Sequence, residues 1–160
     1  MNTDQNFSVS THGSEQSLKL GESLSKILSL GDVVELVGDL GGGKTTLTKG
    51  IAAGLGVIET VTSPTYNIQR SYKISAGGLL EHYDLYRLGD DEILLDEMRE
   101  VIEAKDAIIV VEWADHFQQH LIEDRFVVNI TFVDDDTREV KIEATGPSTS
   151  ERLAKLEYTA

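Results

Sequence analysis

The chain has 160 residues and no cysteine, so we expect a single domain over residues 1–160, with neither disulfides nor a thiolate metal site. Its 28 acidic residues outnumber its 14 basic residues, which gives a formal net charge of −14. A chain this acidic is repelled by nucleic acids and anionic membranes unless its few basic residues cluster, which argues against direct binding of DNA, RNA or a membrane surface.

The amino-terminal segment has none of the features of a targeting signal. It reads MNTDQNFSVSTHG, which is polar and has no basic region ahead of an apolar stretch. No apolar run approaches the ~20 residues that a membrane-spanning helix needs. These patterns predict a cytoplasmic protein.

The first half of the chain predicts two strands, each followed by a helix. Residues 6–10 are typical of a short edge strand, and residues 14–30 place leucine and isoleucine at helical spacing, with Ser14 as a candidate amino-terminal cap. Residues 32–38 are an apolar run rich in β-branched side chains, as in a buried strand. Residues 44–56 then indicate a helix closed by glycines.

The second half mixes alternating strands with buried elements. Residues 68–74 and 80–86 alternate around a glycine turn, and residues 90–104 form an acidic helix with one apolar face. Residues 106–115 indicate a second buried strand with a carboxylate near its end. A last alternating hairpin over residues 126–144 completes an α/β pattern.

The carboxyl-terminal residues 147–160 predict a short helix that is loosely attached to the domain. They are mostly small and polar, and their few apolar residues give a weak helical pattern.

A glycine-rich sequence, VGDLGGGKTT, separates the first buried strand from its helix. It satisfies G-x-x-x-x-G-K-[ST] with Gly38, Gly43, Lys44 and Thr45. Glycines let backbone N–H groups turn inward around a phosphate, and the start of a helix attracts anions. The lysine reaches the β- and γ-phosphates, and the threonine hydroxyl binds Mg²⁺. The pattern G-x-G-x-x-G is not met, because Thr46 stands at its third glycine.

We therefore predict a P-loop NTPase-like fold, with a small parallel core sheet, antiparallel flanking strands and helices on both faces. The predicted nucleotide-binding residues of the loop are consecutive: Gly38, Asp39, Leu40, Gly41, Gly42, Gly43, Lys44, Thr45 and Thr46.

Two carboxylates and a threonine are candidates for the hydrolytic part of the site. Glu112 ends a buried strand, at the edge where α/β sheets hold ligands, although a surface carboxylate after a core strand is the alternative. Asp84 can hold Mg²⁺ or position the attacking water, or instead form a salt bridge with Arg87. Thr65 follows the P-loop helix within SPT, where nucleotide-sensing switch loops often lie.

Two other patterns only weakly suggest metals. His116 and His120 have the i, i+4 spacing of a zinc pair, but Phe117 stands where H-E-x-x-H has its glutamate. Residues 134–136 are three aspartates without the spacing of a calcium loop, so a solvated turn is favoured.

The chain resembles the bacterial TsaE (YjeE) family. The resemblance rests on GDLGGGKTT, TSPTYNI, HYDLYRL and VVEW, in this order, and covers about residues 14–138. It implies a small P-loop ATPase, using ATP and Mg²⁺, that is needed to make threonylcarbamoyladenosine in tRNA. It also implies binding to the TsaD–TsaB pair, whose multi-turnover cycle ATP hydrolysis supports, with tRNA as an indirect partner only.

The resemblance also implies roles for individual residues. Lys44 and Thr45 serve phosphate and Mg²⁺, and Asp84 and Glu112 serve the metal and hydrolysis. Thr65 serves the switch.

The sequence departs from the family pattern in three places. Gly42 stands where the family usually has alanine, which should leave the phosphate cradle intact. Ala114 and Asp115 follow the EW pair, where the family often has proline. Residues 90–106 lack the glycine and the aromatic residue that are usual there, which leaves their partner contacts open.

Two residues outside the loop are candidates for adenine recognition. Thr11 precedes the P-loop strand and can donate or accept over the base, and Arg138 can stack on the base or pair with a phosphate. Each is also consistent with an ordinary surface residue.

Two other functions remain open at this point. A small-molecule P-loop kinase usually carries an arginine-rich lid, whereas this chain has six dispersed arginines. A nucleotide-sensing scaffold, in which hydrolysis is incidental, is the other alternative. A GTPase is disfavoured because no N-K-x-D motif occurs.

Overall fold

The computed structural model describes residues 5–39, 41–89 and 91–160, with the side chain of His120 left out. Within these ranges lie seven strands: β1 (Asn6–His12), β2 (Val33–Val37), β3 (Gln69–Lys73), β4 (Leu79–Asp84), β5 (Ala107–Glu112), β6 (Phe126–Phe132) and β7 (Thr137–Ala144). The helices are α1 (Gly13–Ser25), α2 (Lys44–Gly54), α3 (Glu92–Ala104) and α4 (Pro147–Leu153), with a 3₁₀ turn at Gln118–His120.

All seven strands join one mixed sheet in the order β1-β7-β6-β2-β5-β4-β3. Strands β6, β2, β5 and β4 are parallel to one another. Strand β3 pairs antiparallel with β4 at one edge, and β7 and β1 extend the other edge antiparallel. This arrangement confirms the predicted parallel core with antiparallel flanks. Every residue of β5 is buried, as expected for a parallel strand covered on both faces.

Helices cover both faces of the sheet, as predicted. One face carries α1, α2 and α4, whose apolar side chains join those of the sheet in a cluster that includes Leu20, Leu24, Leu47, Ile51, Val110, Phe126, Val128 and Leu153. The other face carries α3, with a smaller cluster that includes Val33, Tyr83, Leu95, Met98, Ile102, Ile109 and Val111. Among the described residues, no helix combines the length and apolar character needed to span a bilayer.

Two glycines allow α1 and α2 to approach closely beneath the site. A Cβ on Gly21 would overlap the backbone of α2 at Leu47, and a Cβ on Gly50 would overlap the backbone of α1 at Leu18. Because neither obstacle is a flexible side chain, only glycine permits this spacing. The packing fixes α2, and with it the loop that precedes the helix, against the sheet.

Helix α1 differs from the prediction at both ends. It begins at Gly13, with His12 rather than Ser14 as the cap residue, and it ends at Ser25. His12 makes no side-chain cap hydrogen bond; instead the Gln16 side chain accepts the His12 backbone N–H at 2.8 Å, which links the first turn of the helix back to the cap residue. Asp90, the first residue of the predicted third helix, lies outside the described residues.

The carboxyl-terminal segment is anchored, in contrast to the loose attachment expected from its composition. Arg152 donates to both carboxylate oxygens of Asp32, at 2.5 and 2.8 Å, and also to the carbonyl of Ile27. Thr149 and Leu153 are buried against the sheet. The partner residues lie about 120 positions away in sequence, so local patterns could not indicate this contact.

The topology brings three functional segments to one edge of the sheet. The glycine-rich loop follows β2, and Asp84 and Glu112 are the last residues of the parallel strands β4 and β5. These two residues are register partners, and Glu112 is also the partner of Leu36 in β2. The carboxyl ends of parallel strands meet at the ligand-binding edge of α/β sheets.

Candidate active site

The loop between β2 and α2 has a backbone that only glycine tolerates well. Gly41 and Gly43 have φ angles of +73° and +103°, and a Cβ added at either would meet open space rather than protein. A Cβ on Gly42 would lie 2.9 Å from the carbonyl oxygen of Asp39. The loop therefore leaves room beside the start of α2, where the first backbone N–H groups of a helix lack intrahelical partners and attract anions. Leu40, also predicted to bind nucleotide, lies outside the described residues.

Lys44 opens α2 and lies across the loop. Its ammonium donates to the carbonyl oxygens of Gly38 and Asp39, at 2.5 and 3.1 Å, and lies 4.1 Å from the ring centre of Trp113. The side chain is only 6% exposed. Burial lowers the pKa of Lys44, and the negative charges of the nearby Glu112 and Asp84 oppose that shift.

Asp84 is held from two sides. One carboxylate oxygen accepts the Thr65 hydroxyl at 2.9 Å, and the other accepts the backbone N–H of Tyr86 at 3.1 Å. Within the described ranges no ion pair joins Asp84 to Arg87, the alternative raised by the sequence. Instead, the Arg87 guanidinium lies 4.9 Å from the ring centre of Tyr66.

Glu112 is held by His82, which the sequence patterns did not single out as a site residue. Nε2 of His82 lies 2.8 Å from one carboxylate oxygen of Glu112, and both side chains are buried. Two features of the sequence could have indicated His82. It lies two residues before Asp84, on the same face of an alternating strand, and Leu80, the preceding residue on that face, is apolar.

These side chains meet in a cleft of about 270 Å³. Its walls contain loop residues, the two carboxylates and the segment after α2: Gly41, Gly42, Gly43, Lys44, Thr45, Thr46, Ser63, Thr65, Asp84, Glu112 and Trp113. The structure thus brings together the predicted catalytic residues Lys44, Thr65, Asp84 and Glu112, although their roles stay predictions.

Trp113 closes one side of the cleft with a constrained backbone. Its φ angle is +59°, in the left-handed region, which costs a bulky residue about 1–3 kcal/mol. The ring packs against Tyr86, with centres 5.0 Å apart, as well as against the Lys44 ammonium. The backbone turn after β5 thereby places an aromatic ring over the lysine.

The loop after Trp113, whose path the sequence left open, turns back into the protein. Ala114 is buried, and its carbonyl accepts the N–H of Phe117 at 2.7 Å. Further along, Gln118 and Arg125 donate to the two carboxylate oxygens of buried Glu35, at 3.0 and 2.9 Å. Glu35 lies on the central strand β2, so these hydrogen bonds anchor the loop to the middle of the sheet.

A second hollow, of about 200 Å³, lies on the other side of the loop and shares Gly41, Gly43 and Thr46 with the cleft. Arg138 lines it and donates to the carbonyl oxygen of Gly42 at 3.1 Å, while its guanidinium lies 4.7 Å from the ring centre of Phe132. The arginine therefore supports the glycine loop directly.

Thr11 does not line either hollow, contrary to the expectation for a residue that contacts adenine. Its side chain is 0% exposed, and its hydroxyl lies 3.1 Å from the hydroxyl of Ser17. Thr11 is the register partner of Arg138 in the neighbouring strand, so it lies close to the loop in the sheet, but its side chain is directed into the protein.

The cleft presents oxygen donors, and the residues that weakly suggested zinc or calcium are arranged differently from such sites. A threonine hydroxyl at position 45 and the carboxylates of Asp84 and Glu112 are hard oxygen donors, which Mg²⁺ prefers. His116 and His120 do not share an α-helical turn, since a 3₁₀ turn begins at Gln118. Asp134 instead accepts backbone N–H groups of residues 136 and 137, and these hydrogen bonds lower its pKa.

The fold belongs to the P-loop NTPase-like class. A glycine-rich loop joins a strand to a helix, and a buried lysine lies near two carboxylates at the carboxyl edge of a parallel sheet.

Comparison with known proteins narrows this class to one family. The family model for threonylcarbamoyl adenosine biosynthesis protein TsaE matches residues 11–140. The tRNA threonylcarbamoyladenosine biosynthesis protein TsaE of Streptomyces coelicolor is 41% identical over 145 residues, covering 88% of this chain and 96% of that protein. The Bacillus subtilis protein of the same name is also 41% identical, over 119 residues and 72% of each chain.

A solved structure agrees with this assignment. The crystal structure of Bacillus subtilis YdiB is similar with a TM-score of 0.77 and 31% sequence identity, covering 97% of this chain and 95% of that one. The chain belongs to the TsaE family, a family of P-loop proteins that acts in the biosynthesis of threonylcarbamoyladenosine in tRNA.

Proposed function

We propose that this protein is a Mg²⁺-dependent ATP hydrolase that supports threonylcarbamoyladenosine modification of tRNA through a complex with TsaD and TsaB. The observation that carries the proposal is the convergence of Lys44, Thr45, Asp84 and Glu112 on a single cleft beside the glycine loop. A nucleotide-binding module without hydrolysis would need the loop and the lysine, but not two buried carboxylates at the phosphate end.

The loop and α2 supply the binding of the phosphates. Backbone N–H groups at the start of α2 and the positive end of its dipole attract the β- and γ-phosphates. Lys44 is already desolvated and exchanges its two carbonyl acceptors for phosphate oxygens. Arg138 keeps the loop in place from behind through Gly42.

Three oxygen ligands would hold the metal: the Thr45 hydroxyl and the carboxylates of Asp84 and Glu112, directly or through water. Bound Mg²⁺ supplies charge neutralisation on the phosphate oxygens. Asp84 also orients the attacking water or accepts its proton. Its hydrogen bond to Thr65 links that step to the segment after α2, which we propose acts as the switch.

The site lacks an arginine finger within the described residues. Arg87 packs on Tyr66, and Arg138 lies on the far side of the loop. Arg70 is exposed on the edge strand β3. Because an arginine finger contributes about 10³–10⁵-fold in rate in nucleotidases that use one, we expect slow hydrolysis by the isolated protein and acceleration by its partners.

The net charge of −14 argues for a protein partner with a basic surface rather than for direct binding of tRNA, and also against DNA or an anionic membrane. We propose that the protein works in the cytoplasm, with tRNA as an indirect partner.

Single-turnover ATP hydrolysis, measured with and without TsaD–TsaB, tests this proposal. We expect a slow rate alone and a rate at least tenfold higher with the partners, within the range that a supplied arginine or a reordered switch can give. An undetectable rate in both conditions, despite tight ATP binding, would instead favour a nucleotide-sensing scaffold. Tight binding of tRNA by the isolated protein at physiological salt would contradict the indirect role.

A further inference from the structure

A buried hydrogen bond joins β4 to β5 behind the cleft. His82 is 0% exposed and Glu112 is 2% exposed, and His82 Nε2 lies 2.8 Å from Oε2 of Glu112. In the described part of the chain, Asp84 accepts hydrogen bonds on both of its oxygens, whereas no second hydrogen bond to the Glu112 side chain is found. The orientation of Glu112 therefore depends on His82.

We infer that His82 is a positioning residue, which holds one oxygen of Glu112 so that the other faces the metal-binding end of the cleft. The inference rests on the proposed use of Mg²⁺ and ATP, and it adds a residue that the proposed mechanism does not contain.

The strand geometry explains how one histidine can reach this position. Asp84 and Glu112 are register partners at the ends of two parallel strands, and His82 is the partner of Val110 two residues earlier. Side chains two apart in a strand lie on the same face, so β4 places Asp84 in the cleft and His82 just behind it. A residue at position 82 can therefore support Glu112 diagonally without entering the cleft.

The surroundings of His82 make a purely structural role a poor explanation. Its neighbours on the same face, Leu80 and Val110, are fully buried members of the apolar cluster. Nδ1 of His82 is buried and has no hydrogen-bond partner within the described ranges. An apolar residue would fill this position without burying an unpartnered nitrogen, so the hydrogen bond to Glu112 is what a histidine adds.

The partners also identify the donor in this pair. A carboxylate can only accept, so Nε2 of His82 donates to Glu112 and fixes the direction of its side chain. A hydrogen-bonded residue behind a metal ligand typically contributes 10–100-fold to metal affinity or activity.

A pair of variants separates the hydrogen bond from packing. His82→Phe keeps a buried ring and removes the donor, whereas His82→Gln removes the ring and keeps an N–H donor near the position of Nε2. Leu80→Val is the matched control, because it alters packing on the same face of the same strand without contacting Glu112. Its expected effect is a lower Tm with no change in metal affinity.

The primary measurement is the affinity of Mn²⁺ for the ADP-bound protein, by calorimetry or electron paramagnetic resonance. We expect His82→Phe to weaken Mn²⁺ binding roughly 10–100-fold, with metal-free ADP affinity within about twofold of wild type, and His82→Gln to recover most of the loss. Unchanged Mn²⁺ affinity in His82→Phe, or equal losses in both variants, would overturn the inference.

A second measurement needs no nucleotide. In protein labelled with ¹⁵N-histidine, we expect a protonated Nε2 of His82 whose proton resonance shifts in Glu112→Gln. A Nε2 without a proton, or one insensitive to Glu112→Gln, would also overturn the inference. If the wild-type protein binds Mn²⁺ and ADP but hydrolyses no ATP even with partners, the proposed function fails while both measurements still decide the role of His82.

Discussion

The Thr65 hydroxyl donates to Oδ2 of Asp84 at 2.9 Å, which joins the segment after α2 to the last residue of β4. The Ser63 hydroxyl lies 2.6 Å from that of Thr65, so the contact extends along the segment. A displacement of Asp84 at the phosphate end of the cleft therefore disturbs this segment directly. Such a contact is what a nucleotide-sensing loop needs.

Replacing Thr65 by valine tests that link. Thr65→Val keeps the side-chain shape and removes the hydroxyl, so Asp84 loses one of its two hydrogen bonds. We expect partner-stimulated hydrolysis to fall roughly tenfold, the equivalent of about 1.4 kcal/mol, with little change in ADP affinity. Thr62→Val, at an exposed position nearby, is the control. Wild-type kinetics in Thr65→Val would remove Thr65 from the mechanism.

We expect Lys44 to contribute more to phosphate binding than any other side chain. Lys44→Met keeps the buried stem and removes the charge, which should weaken ATP binding roughly 10–150-fold, since hydrogen bonds to charged groups contribute about 1.5–3 kcal/mol. We expect hydrolysis to become undetectable. Lys49→Met, on the same helix but exposed, should match wild type in both assays. Titration with a fluorescent ATP analogue gives the affinities, and wild-type binding by Lys44→Met would contradict a phosphate role.

Substitutions of Thr11 and Arg138 should differ in how much they weaken ADP binding. Thr11→Val preserves a buried side chain of the same shape, so we expect ADP affinity close to that of wild type. Arg138→Ala removes the hydrogen bond to Gly42 and should weaken ADP binding roughly 2–10-fold, as expected for a bond of about 0.5–1.5 kcal/mol. Calorimetry with ADP compares the two variants. The reverse order of effects would restore Thr11 as the contact residue.

Asp124 should make the free energy of unfolding of the domain decrease at acidic pH. Burial opposes its ionisation, but hydrogen bonds from Thr149 and Ser148 and the charge of Arg152 hold its pKa below the ordinary value. Because the pKa is lower in the folded state, Asp124 stabilises the protein above the ordinary Asp pKa of about 3.9. That contribution is lost as the pH falls through the folded-state pKa.

Asp124→Asn should therefore lower the free energy of unfolding by about 1 kcal/mol at neutral pH, and the difference from wild type should shrink as the pH falls below about 4. Urea unfolding across this pH range measures both quantities. Asp135→Asn, in the exposed turn, is the control. A difference that grows on acidification would contradict the assigned direction.

The sequence was sufficient for those parts of the site that depend on local patterns. The loop residues follow from their spacing, and Glu112 follows from the rule that parallel strands present ligand-binding residues at their carboxyl ends. Asp84 is a candidate on an alternating strand, and the structure shows that this strand, β4, belongs to the parallel core. Both carboxylates lie in the cleft with Lys44, and the buried runs before them form the parallel core.

The errors and omissions concern contacts that depend on register or on distant residues. The role of His82 requires the pairing of β4 with β5, since it reaches Glu112 across the strands. Thr11 was expected to lie beyond a strand that ended at residue 10, whereas β1 continues to His12 and the Thr11 side chain is buried. The anchoring of α4 rests on a pair between Arg152 and Asp32 that no local pattern predicts.

The role of ATP hydrolysis is tested most directly by tRNA modification in a reconstituted mixture of TsaD, TsaB, their substrates and this protein, with Glu112→Gln as the variant. Glu112→Gln keeps the loop and Lys44, so we expect it to bind ATP. The ATP concentration is adjusted so that the variant and the wild type are equally saturated. We expect repeated rounds of modification per TsaD–TsaB complex with wild type, and no more than one round with Glu112→Gln. Repeated rounds with a variant that binds ATP but does not hydrolyse it would contradict the claim that hydrolysis supports the cycle.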